Sequence, residues 1–235
     1  MRVEVYRSSE EASLRALEIF SSSLQEGADV FGMATGSTPE RLYELLSQSD
    51  IDFSKAVSIN LDEYVGLDES NSQSYAYYMK KHLFKDKPFK ATYIPNGHTQ
   101  SIEEELNRYD QIIEENPIDL QLLGLGSNGH IGFNEPGTDL DAPTSLVQLT
   151  QSTIQDNQRF FDSKEEIPTQ AITMGIGSIL KAKKIIVMAF GSQKAQAVKG
   201  MIEGPVTSDL PASVLQNHPN VYVLLDKAAA SLLKR

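Results

Sequence analysis

No cysteine occurs in the chain, which excludes disulfides, thiolate nucleophiles, iron–sulfur clusters and cysteine-ligated zinc, and fits a reducing compartment. Long apolar runs are missing too. The longest, residues 185–190, falls far short of the roughly 20 residues that cross a bilayer. Positive charge is scarce: 21 Lys and Arg stand against 32 Asp and Glu, a net charge of −11. A surface this acidic repels phosphate backbones, so no nucleic-acid partner is expected, and any anionic ligand must be caught by a locally built positive site. Residues 1–6 read as a strand and not as a secretory leader, so the chain reads as cytoplasmic with no membrane partner. No repeat, low-complexity tract or long polar linker divides the 235 residues, which favours one domain over 1–235.

What is present is an alternation. Short Val-, Ile- and Leu-rich runs at 3–6, 30–34, 57–61, 119–125, 184–190 and 221–225, with a shorter one at 92–94, predict strands. Segments of helical period at 10–26, 39–47, 74–84, 102–115 and 193–202 lie between them. This is the pattern of βα units around a mostly parallel sheet, an α/β doubly wound fold. The acids Glu103–Glu105 are expected as the solvated first turn of a helix. Residues 138–169 differ in kind, with sparse apolar residues between Pro143 and Pro168, and are a candidate flap over a pocket.

In such a sheet, ligands sit at the carboxyl ends of the strands, and three strand ends here carry unusual residues. After the second strand come Thr35, Gly36, Ser37 and Thr38, then Pro39 in the first turn of a helix. Glycine lets backbone approach a ligand while hydroxyls and free amides point donors at one spot, an anion cradle; a plainly capped helix with nothing bound is the alternative. The Walker lysine is missing, so a sugar phosphate suits better than a nucleoside triphosphate. The third strand ends in Asp62 and Glu63, of which extended chain turns only one towards a pocket. A carboxylate held partly dry there is equipped to remove a proton beside a carbonyl, whereas solvated capping acids are the bland reading.

The fourth long apolar run enters Gly124, Gly126 and Gly129, a G-x-G-x-x-G match, but residues 130–137 contain Pro136 and Gly137 and break any helix, so a dinucleotide is not expected. The loop offers His130 with Asn128 and Glu135 nearby, an imidazole able to carry protons both ways near neutral pH. His82, His98 and His218 read as structural, and no pair of histidines has helical metal-ligand spacing.

Taken together, residues 35–39, 60–67 and 129–136, with 159–161 and 191–195, resemble the glucosamine-6-phosphate deaminase family, in order and across nearly the whole chain. The resemblance implies a modified Rossmann-like fold, conversion of glucosamine 6-phosphate to fructose 6-phosphate and ammonia in amino-sugar catabolism, and no metal or organic cofactor. It implies Asp62 as the base moving a proton between C2 and C1 of the opened sugar, and His130 as the ring-opening acid and base assisted by Glu135. Asn128 stands where many relatives carry Asp, so either the imidazole works without that charge or Glu135 alone supplies it. Gly36, Ser37 and Thr38 with Arg159 and Lys194 are implied as the phosphate site. Larger relatives are activated by an N-acetylated sugar phosphate through basic residues; residues 144–147 hold no Lys or Arg, so simple saturation is expected of a monomer or small homo-oligomer. Two rivals are a 6-phosphogluconolactonase-type hydrolase on a similar fold and a sugar-phosphate sensor domain. The second should come with a basic helix-turn-helix, at odds with the acidic composition.

Overall fold

The computed structural model describes residues 1–151, 153–154 and 167–234. Its main sheet is entirely parallel. Strands β1 (Arg2–Tyr6), β2 (Val30–Met33), β3 (Val57–Asn60), β5 (Ala91–Tyr93), β6 (Leu120–Gly124), β9 (Lys184–Ala189) and β10 (Val221–Asp226) lie in the order β1-β10-β9-β6-β2-β3-β5. The interior strands are near-continuous apolar runs buried on both faces, as a sheet covered on each side requires. Helices α1 (Ser9–Gln25), α2 (Glu40–Gln48), α3 (Tyr75–Met79), α4 (Ile102–Glu115), α5 (Ile176–Ile179) and α6 (Ala195–Glu203) occupy the connections. The serines that precede α1, α3 and α4 accept first-turn amides, Ser8 from Glu11, Ser74 from Tyr77 and Ser101 from Glu104.

From β2 the chain steps outward through β3 to β5, returns to β6 on the other side of β2, and then continues through β9 to β10. Winding outward in both directions from the centre of the sheet leaves a topological switch point between β2 and β6. The strands contributing loops there, β9, β6, β2 and β3, are consecutive in the sheet.

Several boundaries differ from the sequence expectation. Pro39 is the residue before α2 and not part of its first turn. The predicted helix 74–84 is α3 running into a π-helical turn, Lys80–Phe84. The helix expected from 193 is a 3-10 turn, Ser192–Lys194, leading into α6. Glu105 is not solvated: it is 4% exposed, pairs with Arg108 at 2.6 Å and accepts the Asn96 amide at 2.7 Å. The run 57–61 ends at Asn60, and residues 62–64 form a separate strand, β4 (Asp62–Tyr64). This belongs to an antiparallel sheet, β4-β8-β7, with β7 (Ser145–Gln148) and β8 (Gln170–Thr173). Thus part of the 138–169 stretch is a strand, while residues 152 and 155–166 lie outside the described residues.

Candidate active site

A cleft of 390 Å³ opens at the switch point. Thr35, Gly36, Ser37 and Thr38 line it after β2, Asp62 at the start of β4, Gly126 and His130 after β6, and Gln193 and Lys194 after β9. Asn128 and Glu135 are not among its lining residues and stand behind the imidazole. Arg159 lies outside the described residues.

The loop after β2 turns at Gly36, whose φ of +85° favours glycine. The residue before α2 is Pro39, whose side chain makes no capping hydrogen bond. Three tyrosines brace this loop. Tyr43 donates to the Ala34 carbonyl, Tyr78 donates to the Gly36 carbonyl at 2.7 Å, and Tyr75 shares a hydrogen bond with Thr35. With these carbonyls engaged, the backbone of the turn is fixed before any ligand arrives.

Asp62 and Glu63 point opposite ways, as alternation along a strand demands. Asp62 borders the cleft and is 6% exposed. Burial, seconded by the neighbouring Glu63 carboxyl, pushes Asp62 up to about 8. Glu63 turns into the start of α3, where its carboxyl oxygens accept the amides of Tyr64, Tyr75 and Ala76, each at 2.9 Å. Burial raises it to about 7 against those three donors. Asp62 pairs in register with Thr173 of β8. Gly132, at φ +57°, fits against both: a methyl group there would lie 2.9 Å from Thr173 Oγ1 and 3.3 Å from Asp62 Oδ2. Tyr64, Tyr75 and Phe133 pack as a tilted and stacked aromatic group at centroid distances of 4.8–5.9 Å, giving β4 and the 132–133 turn a common floor.

The 126–130 loop closes on itself, with the Gly126 amide donating to the His130 carbonyl at 2.9 Å and the Gly129 amide to the Gly126 carbonyl at 3.0 Å. The imidazole lies directly over Gly126, where a methyl group would come within 2.4 Å of the ring. Its Nδ1 stands 3.4 Å from Glu135 Oε2, a charge contact too long for a strong hydrogen bond. Asn128 ties the pair together: its Oδ1 accepts the His130 amide at 3.2 Å and its Nδ2 donates to Glu135 at 2.7 Å. Thr150 and Thr153 donate to the other Glu135 oxygen. Burial would raise Glu135, but the His130 contact and the bonds from Thr153 and Asn128 outweigh it and hold the carboxyl at about 2. Glu135 is therefore a fixed negative charge behind the imidazole at neutral pH. Among the described residues no cluster of three or more His, Asp or Glu side chains could hold a metal ion, and no helix is long and apolar enough to cross a membrane.

Tyr43, Tyr75 and Tyr78 as the brace of the loop, Glu63 as the α3 anchor, Thr150 and Thr153 as partners of Glu135, and Thr173 as the register partner of Asp62 were not among the residues expected from the sequence. The Tyr-rich run 75–78 was a visible signal; the threonines, contributed from 15 to 18 residues beyond Glu135 and from β8, gave none.

A parallel α/β sheet with a polar cleft at its switch point, bringing together a buried acid, a histidine beside a carboxylate and a hydroxyl-rich turn, is the arrangement of an enzyme acting on a small molecule. The chain belongs to the family of glucosamine-6-phosphate isomerases and 6-phosphogluconolactonase, whose model matches residues 9–223. It is 56% identical over 235 residues to the glucosamine-6-phosphate deaminase of Oenococcus oeni, covering all of both chains. To that of Enterococcus faecalis it is 54% identical over 233 residues, 99% of this chain and all of the relative. Among solved structures, a monomeric glucosamine-6-phosphate deaminase superposes with a TM-score of 0.95 at 40% identity, over 99% of this chain and 100% of the other. The 6-phosphogluconolactonase of Leishmania guyanensis shares the fold with a TM-score of 0.81 at 22% identity, over 100% and 99% of the two chains.

Proposed function

We infer that the chain converts glucosamine 6-phosphate and water to fructose 6-phosphate and ammonia. One observation carries this reading: a buried aspartate with a strongly raised pKa shares its cleft with an imidazole and with a braced, donor-rich turn. The turn Thr35–Thr38 and Lys194 hold the phosphate, with Arg159 as a second cation. A doubly charged phosphate in an acidic protein needs such charge-assisted bonds. His130, oriented by Glu135 and Asn128, takes the hydroxyl proton at C1 and returns it to the ring oxygen, opening the sugar. Asp62 then removes the proton at C2 and delivers it to C1. An acid whose pKa lies near the working pH suits both halves of that transfer. With C2 now electrophilic, water adds to it and ammonia leaves from the carbinolamine.

The 54–56% identity to full-length deaminases, against 22% to the lactonase, favours deamination over ester hydrolysis. The protein works in the cytoplasm, in the use of amino sugars such as N-acetylglucosamine, as a monomer or small homo-oligomer. The test offers the purified chain glucosamine 6-phosphate and 6-phosphogluconolactone separately. Ammonia release from the first supports the reading; acid release from the second without ammonia from the first overturns it.

A further inference from the structure

Lys194 reaches the cleft from a turn that is itself held in place from outside the site. Gly191 begins that turn with φ +86° and ψ 154°, a backbone shape that favours glycine, and the Lys194 amide closes it on the Gly191 carbonyl at 3.1 Å. The Gly191 amide is gripped by both carboxyl oxygens of Asp226, at 3.1 and 3.0 Å. Asp226 ends β10, whose Leu225 pairs in register with Ala189 at the end of β9. Its Oδ1 also accepts the Ala229 amide at 2.7 Å, so the carboxyl is anchored on its own strand end while it holds the neighbouring one. Asp226 is half-buried and is not among the residues lining the cleft.

We propose that Asp226 is a positioning residue for phosphate affinity: by fixing the Gly191 amide it sets the direction in which the turn presents Lys194 to the substrate phosphate. The proposal rests on the reading above in that Lys194 meets a phosphate. An acidic group beside a phosphate site is electrostatically unfavourable, and here it is tolerated because two backbone amides engage it and it stands off the cleft wall. Removing it frees the Gly191 amide and lets the turn shift, so the cation loses its aim while the proton-transfer groups on β4 and after β6 stay where they are.

The experiment measures KM and kcat for ammonia release, the Kd of inorganic phosphate by calorimetry, and thermal unfolding for the native chain, Asp226→Ala and Asp226→Asn. For Asp226→Ala, KM and the phosphate Kd are expected to rise together by about ten-fold, the scale of one charge-assisted hydrogen bond, with a much smaller change in kcat. Asp226→Asn keeps one acceptor oxygen and is expected to fall between the two. Gly191→Ala, which would force the added methyl to 2.4 Å from the Gln193 side chain at a positive φ, should reproduce the weakened phosphate binding. A fall in kcat with unchanged KM and phosphate Kd, or a loss of thermal stability alone, would overturn the proposal. If the native chain binds phosphate but releases no ammonia, the assigned reaction fails, while the phosphate Kd values still judge Asp226.

Discussion

A carboxyl group buried like that of Asp62 gains its basicity at the expense of stability. Its pKa rises from 3.8 to about 8 on folding, so between those values the folded chain holds a proton that the unfolded chain has lost, and stability falls as pH rises through the window. Asp62→Asn removes this dependence. The substitution is expected to raise the melting temperature, by more at about pH 9 than at about pH 5, and to lower kcat by roughly 10²- to 10⁴-fold, the usual worth of a positioned base. Scanning calorimetry at the two pH values and an ammonia assay check both halves. Glu135 is the opposite case. Held at about 2 against an ordinary 4.5, it contributes stability that is complete above the ordinary value and is lost as pH falls towards 2. Glu135→Gln should therefore destabilise at neutral pH, with the gap to the native chain closing in acid. At Gly132, Ala should cost about 1–2 kcal/mol for the left-handed backbone alone. It should also depress kcat, because the new methyl group presses on Asp62 and Thr173.

At the scale of elements, the residues that perform the proposed chemistry depend on small pieces of structure that are hard to see in the chain. The long apolar strands of the parallel sheet are legible because burial on both faces leaves a continuous Val, Ile and Leu signature. The glycine-rich and hydroxyl-rich loops are legible because they directly follow those strands. Strands β4, β7 and β8 have three or four residues each, mix polar with apolar side chains, and exist through pairing between positions 62–64, 145–148 and 170–173. No local period announces such pairing. The same applies to Thr150 and Thr153, which lie just beyond β7 and donate to Glu135 from 15 and 18 residues away. Tyr78 illustrates how α3 acts on the Thr35–Thr38 turn. With Tyr78→Phe the Gly36 carbonyl loses its donor, at a cost of about 1 kcal/mol. KM for the sugar phosphate should rise several-fold while kcat changes little, as steady-state kinetics would show. A fall in kcat at constant KM would place Tyr78 in the chemistry instead.

At the scale of the whole molecule, the winding of the sheet decides where function can sit. Because the strand order reverses between β2 and β6, the ends of four consecutive strands converge on one crevice, and the Thr35–Thr38 turn, Asp62, His130 and Lys194 meet there from positions up to 159 residues apart. The net charge of −11 makes this crevice the place where an anion must be captured by local design and not by the general field. The stretch 144–147, without Lys or Arg, leads to a kinetic expectation for the intact protein. The rate should follow a hyperbola in glucosamine 6-phosphate and be unaffected by N-acetylglucosamine 6-phosphate. A sigmoidal curve straightened by that compound would contradict it.

The most direct measurement follows hydrogen itself. Glucosamine 6-phosphate carrying deuterium at C2 is turned over by the native chain and by Asp62→Asn, and the fructose 6-phosphate formed is read by mass and magnetic resonance at C1. Deuterium should be delivered to C1 by the native chain and lost along with turnover in the variant. Product bearing only solvent hydrogen at C1, formed equally fast by both proteins, would contradict it.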